Sequence, residues 1–303
     1  MIKFNDKEFI IAIILAIFSS LLSGAFFIIS LKGLEISNGI VFFTILSIFE
    51  FIIMGFYILI KNDKIILPHK RYILNSFFYS VATILFFTII NKTNIIILSE
   101  IITLNILIFI SFQLLHHKNV VNKKMILKLI IGGVIVIVAI LVIYGFNKTS
   151  LNEDIIIIAI IVTLFYSISN YLFSHDSKHS HNKTNFIFWL IFFQVLIGLT
   201  ITTIFNMNVK LNMNVIIYSL LAGVFLFLST IIMIYSYHRI KNFSNVSRLI
   251  GTSILFILGE TSTIFISLLY GIFIGSLNIY IIISIILLIV AIYIISSVEE
   301  KIK

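Results

Sequence analysis

The chain has 303 residues, of which 60% are hydrophobic and only 11% charged, with a formal net charge of +9, no cysteine and a mean hydropathy of +1.19. A soluble domain carries about 25% charged residues, so this composition excludes a water-soluble fold. The lack of cysteine also excludes disulfides, thiol catalysis and thiolate metal sites.

Apolar segments of about 20 residues recur along the whole chain, the length that carries a helix across roughly 30 Å of hydrocarbon. Their continuity excludes the alternating strands of a β-barrel. Ten spans are expected, at 9–30, 38–60, 72–90, 94–115, 127–145, 155–174, 185–205, 214–236, 247–269 and 276–297. The first is too long, and too promptly followed by others, for a cleaved signal peptide. The longest hydrophilic connections, His116–Lys124 and His175–Thr184, are too short to form a domain, so function is expected inside the helix bundle.

Span 2 carries Glu50 between Phe49 and Phe51, with no polar stripe beside it, which favours an internally hydrogen-bonded structural carboxyl over a cavity-lining one. Span 4 begins "IIILSEIITLNILIFISF", where Glu100, Thr103 and Ser111 follow one helical face while Asn105 lies on another, as expected of packing. Glycines at 132 and 133 in span 5 suit close helix approach. Span 6 has the densest polar group, Tyr166, Ser169 and Asn170 on one face. Trp189 in span 7 and Tyr235 and Tyr237 in span 8 fit an interfacial aromatic belt. Span 9 reads "GETSTIFISLLYG", aligning Glu260 with Thr263 and Ser267 and, upstream, Ser253.

Charge predicts the orientation. Connections 2, 4, 6 and 8 carry net charges of +3, +4, +1 and +3, whereas the odd connections together carry +1. The positive-inside rule then puts the even connections and both termini in the cytoplasm of a multi-pass cell-membrane protein. The three acids left over, Glu50, Glu100 and Glu260, all fall inside spans, where a charge costs roughly 2.5–3.5 kcal/mol. Neither a lipid-facing position nor an arbitrary one is expected of them.

Ten spans divide into two sets of five, 1–149 and 150–303, and an odd number per half gives inverted repeats. Glu-x-x-Thr recurs at Glu100/Thr103 and Glu260/Thr263, at corresponding places in the two halves. In these features, and in "LSGAFFIISLKGLE", "ILFFTIINKTNIIILSEIIT", "LIIGGVIVIVAILVIY", "IVTLFYSISNYLF", "LLAGVFLFLSTIIMIYSYHRI" and "SLNIYIIISIILLIVAIYII", the chain resembles the EamA-like ten-helix branch of the drug/metabolite transporter superfamily. Glu260-Thr261 looks like that family's Glu-Pro pair with the proline lost. His116-His117 and Gly275-Ser276 stand where the family usually has Gly-Glu, and Ser23-Gly24 where it has Trp-Gly. The resemblance implies two inverted five-helix repeats around a central cavity, alternating access, and a small metabolite, amino acid or amphipathic compound as cargo, often exported.

The residues expected to bind substrate or to couple transport are Glu260, Glu100, Thr263, Thr103, Tyr166, Ser169, Asn170 and Glu50, with Glu260 first. No Lys or Arg lies at mid-membrane, which favours a cationic, zwitterionic or neutral substrate. No catalytic residue, cofactor or metal is expected, with proton coupling or substrate exchange as the driving modes. His175, Asp176, His179 and His181 sit in a connection that reads as short and exposed rather than as a ligand set. The partners expected are a small molecule and the bilayer, not nucleic acid, for a monomer or homodimer. A membrane enzyme or a non-transporting structural or regulatory membrane protein is the alternative.

Overall fold

The computed structural model describes residues 7–90, 104–117, 122–144, 153–179, 183–207, 212–260 and 279–297. They form helices α1 (Lys7–Leu34), α2 (Gly39–Lys61), α3 (Lys70–Ile90), α4 (Asn105–His116) and α5 (Lys123–Tyr144). There follow α6 (Glu153–His179), α7 (Lys183–Ile204), α8 (Met213–Arg239), α9 (Asn245–Glu260) and α10 (Ile279–Ser296), with no strand among the described residues. Six of them, α1, α2, α3, α6, α7 and α8, are long and apolar enough to cross a membrane. The chain is an all-α, multi-pass integral membrane protein.

Helix is the local solution because a backbone in hydrocarbon must satisfy its own hydrogen bonds. The same logic governs the hydroxyls stranded in these helices. Thr44 donates to the Ile40 carbonyl at 2.9 Å, Thr83 to Tyr79 at 2.8 Å and Thr163 to Ala159 at 2.7 Å. Helix ends are marked by asparagine. Asn38 accepts from the Ile40 amide at 2.9 Å and Asn212 from the Asn214 amide at 3.1 Å, while Asn62 closes α2 in the left-handed region at φ 52°.

The long neighbours are not sequential ones. Helix α1 packs along α8, α3 along α6, and α5 along α10, while α2 lies against both α7 and α8. One core cluster joins α1, α4, α5, α8, α9 and α10 through Phe9, Phe109, Tyr237 and Phe256. The Phe109 and Phe256 rings stack at 3.8 Å. A second, around Phe42, Phe43 and Phe87, joins α1, α2, α3, α6 and α8, and a third, around Met54, Phe186 and Phe227, joins α2, α7 and α8. Large side chains such as Ile14 and Phe56 point outward, 59% and 63% exposed. On this scale an apolar exterior is the surface of a protein solvated by lipid.

The segment expected to be an exposed connection from His175 instead continues α6 to His179. Asp176 and Lys178 are buried there. The Lys178 ammonium and Asp176 Oδ1 have protein partners, whereas Asp176 Oδ2 has none among the described residues. The Lys178 ammonium donates to Thr252 on α9 at 2.9 Å, and the Asp176 carboxylate lies 3.1 Å from His175 Nδ1 and 3.8 Å from the Arg71 guanidinium.

Candidate functional site

A cavity of about 330 Å³ lies inside the bundle, walled by α1, α2, α3, α6, α7, α8 and α9. Two carboxyl groups line it, Glu50 from α2 and Glu260 from the end of α9, and no Lys, Arg or His does among the described residues. Ser169 and Asn170 of α6 line the same space.

The two acids have different surroundings. Glu260 accepts a hydrogen bond at Oε1 from the Asn170 amide at 3.2 Å, and its carboxyl also faces the Asn105 side chain. Asn105, read from sequence as packing, is fully buried and belongs to this acid's neighbourhood. Glu50 is 2% exposed, and its Oε2 has no hydrogen-bond partner among the described residues. The internal hydrogen bond expected of Glu50 is not seen at that oxygen among the described residues. Helix α8 passes beside Glu50 at Gly223, where a Cβ would make an ordinary van der Waals contact 3.6 Å from Glu50 Cγ.

Ser169 is paired with Asn75 of α3 at 2.6 Å. Turning the Asn75 amide so that Nδ2 faces Ser169 lets its oxygen accept from the Phe173 amide at 3.2 Å, and this orientation satisfies both ends. Tyr166 does not reach the cavity wall. Its hydroxyl donates to Thr83 at 3.1 Å and its ring meets Tyr79, which does line the cavity, edge to face at 6.0 Å. Tyr166 thus stands one layer back, bracing α6 against α3. Glu100, Thr103 and Thr263 lie outside the described residues, as do Ser267 and His181.

Several wall residues escaped the sequence reading. Ser19 and Ser229 exchange hydroxyl-to-carbonyl bonds at 2.9 and 3.0 Å, and Ser23 joins them with its hydroxyl 2.6 Å from that of Ser229. This serine clasp fastens α1 to α8 beside the cavity. Asn75 and Gln194 line it too. A lone amide inside an apolar span is itself a signal of a polar interior, and both could have been found that way. The serines carried no comparable signal, since a single hydroxyl is satisfied within its own helix.

At the end of the bundle where α6 finishes, the helices are cross-tied by polar contacts. Gln113 donates to Ser174 at 3.2 Å, the Tyr171 hydroxyl lies 2.9 Å from His116 Nδ1, and Lys178 reaches Thr252. Nearby, burial and the neighbouring His116 hold the His117 imidazole well below its usual range, at about 4. His117 is therefore neutral at physiological pH.

No family model and no curated protein matches the sequence. Twenty-two chains of solved structures match the fold. One, described only as "Crystal structure of protein", has a TM-score of 0.66 over 94% of this chain and 98% of its own, at 9% identity. At that identity the likeness is one of fold alone.

Proposed function

We propose that the chain is a secondary transporter that moves a small cationic or amphipathic metabolite across the cell membrane by alternating access, in the exporting direction. The observation that carries this reading is the cavity: a pocket in the interior of a membrane bundle, lined among the described residues by two acids and no base. Ionisable side chains inside a membrane mark substrate or ion paths, and a space of roughly 300 Å³ suits a compact organic molecule. An incoming cation would offset the cost of holding an ionised carboxylate there. Proton release on substrate binding follows from the same electrostatics.

The reading includes ten spans with both termini cytoplasmic and two inverted five-helix halves, as in the EamA-like branch of the drug/metabolite transporter superfamily. Helix pairing supports the repeat. Replacing each helix by its counterpart five places away converts α1–α8 into α6–α3, α2–α8 into α7–α3, and α1–α9 into α6–α4, all of which are packed pairs. The pairs α2–α7, α4–α9 and α5–α10 convert into themselves and are packed as well. That is the pattern of a two-fold axis relating the halves. Glu50 and Glu260 then come from opposite halves, so a substrate held by both would feel any rocking of one half against the other.

Flux of radiolabelled amines into sealed vesicles containing the purified protein tests the proposal. Glu260→Gln keeps the shape of the side chain and removes its charge. Transport is expected to fall at least tenfold, about 1.4 kcal/mol if one barrier dominates, at matched protein abundance. Parent-rate transport by this variant across pH would remove Glu260 from the path. Chemical conversion of a metabolite without flux would favour an enzyme instead.

A further inference from the structure

The cavity's two acids are not duplicates, and their difference points to the kind of cation that fits. Glu260 already receives the Asn170 amide, so this carboxylate has a fixed donor whether or not a ligand is present. Glu50 has an oxygen with no donor among the described residues, although it is almost wholly buried and borders the cavity. Helix α8 passes beside it at Gly223. Glu50 thus borders the cavity with one carboxyl oxygen that has no donor among the described residues.

A ligand with a single positive nitrogen would meet one of these groups and leave the other unanswered. A ligand bearing a carboxylate would find no Lys, Arg or His on the described wall. Amino acids are therefore poorer matches than amines. Away from the acids the wall is largely apolar, with Phe26, Phe27, Phe86, Phe173 and Phe256 among its residues. Such a surface accepts methylene groups, and aromatic faces also attract ammonium ions.

We infer that the cavity is a site for a compact organic dication, two protonated nitrogens joined by a short apolar chain, with Glu50 holding one nitrogen and Glu260 the other. The inference rests on the transport reading of the same cavity and narrows its substrate to diamines. It also gives Glu50 a role distinct from that of Glu260. Glu260 answers any amine, and Glu50 selects those with a second charge.

Isothermal titration of the purified full chain in lipid nanodiscs, with 1,4-diaminobutane, butylamine and 1,4-butanediol as probes, provides the test. The diamine is expected to bind at least tenfold more tightly than butylamine, and the diol not at all. Glu50→Gln should bring the diamine down to the level of butylamine, Glu50→Asp should keep part of the preference, and Glu260→Gln should weaken both amines. Equal affinity for the two amines in the unaltered protein would overturn the dication inference while leaving a cation carrier intact. A preference that survives in Glu50→Gln would overturn it in the same way. If neither amine binds the unaltered protein, the cationic-substrate reading fails along with it. The comparison of probes on the unaltered protein decides the matter even if the Glu50 variants do not fold.

Discussion

His117 illustrates how a single side chain outside the apolar spans ties stability to pH. Its imidazole is held at about 4, mainly by burial, against an unfolded value near 6.5. The folded protein thus binds fewer protons than the unfolded chain between those values. The contribution to stability is complete above about 6.5 and is lost as pH falls toward 4. Melting of the purified protein is expected to drop over that interval, and His117→Gln should make the drop shallower; equal slopes in the two proteins would refute the assignment. Among the cavity residues, Glu50 and Glu260 were legible in the sequence because a carboxylate in an apolar run has few innocent explanations. Which of them has an oxygen without a partner among the described residues was not legible, since the Glu260 partners Asn170 and Asn105 lie on other helices. The serine clasp was hidden for a similar reason: Ser19 and Ser229 are 210 residues apart.

Between elements, the decisive variable is how closely backbones approach. Gly39 opens α2 directly against α3, and a Cβ there would stand 2.7 Å from the Phe87 carbonyl carbon. Backbone cannot swing aside as a flexible side chain can. Gly39→Ala is therefore expected to push α2 off α3 and destabilise the protein by about 1–3 kcal/mol. Gly55 in the same helix supplies the contrast, because nothing lies within 4 Å of its added Cβ. Gly55→Ala should be neutral or stabilise by up to about 1 kcal/mol through helix propensity. Chemical unfolding of both variants in the same detergent checks the pair, and a Gly39→Ala protein as stable as its parent would show that the interface yields. Hydropathy made the helices visible, but it did not mark their ends. The last turn of α6 is polar in composition, and its Asp176 and Lys178 side chains meet Arg71 of α3 and Thr252 of α9. Leaving the apolar run is a change of side-chain environment, whereas leaving the helix requires a change of backbone partner.

For the molecule as a whole, the proposed orientation follows from charge and the proposed symmetry from packing, two independent properties. The even connections carry most of the positive charge. Because the chain has no native cysteine, single cysteines can be introduced without a background. Substitutions at Lys64 and Lys124 are expected to react with a membrane-impermeant thiol reagent from the cytoplasmic side, and those at Lys148 and Lys210 from the opposite side. Labelling of all four from one side would overturn the ten-span topology. The all-helical class was legible because every long segment of this chain is apolar. The cavity was not, because its walls come from seven helices brought together only by the fold.

The clasp between α1 and α8 also bears on how the protein is made. Its Ser19 and Ser229 are separated by 210 residues, so at synthesis rates of about 5–20 residues per second α1 emerges roughly 10–40 s before its main partner. During that interval the first helix must be sheltered by lipid or by the insertion machinery. Some 210 residues must be made after Ser19 before α1 meets the neighbour that holds it.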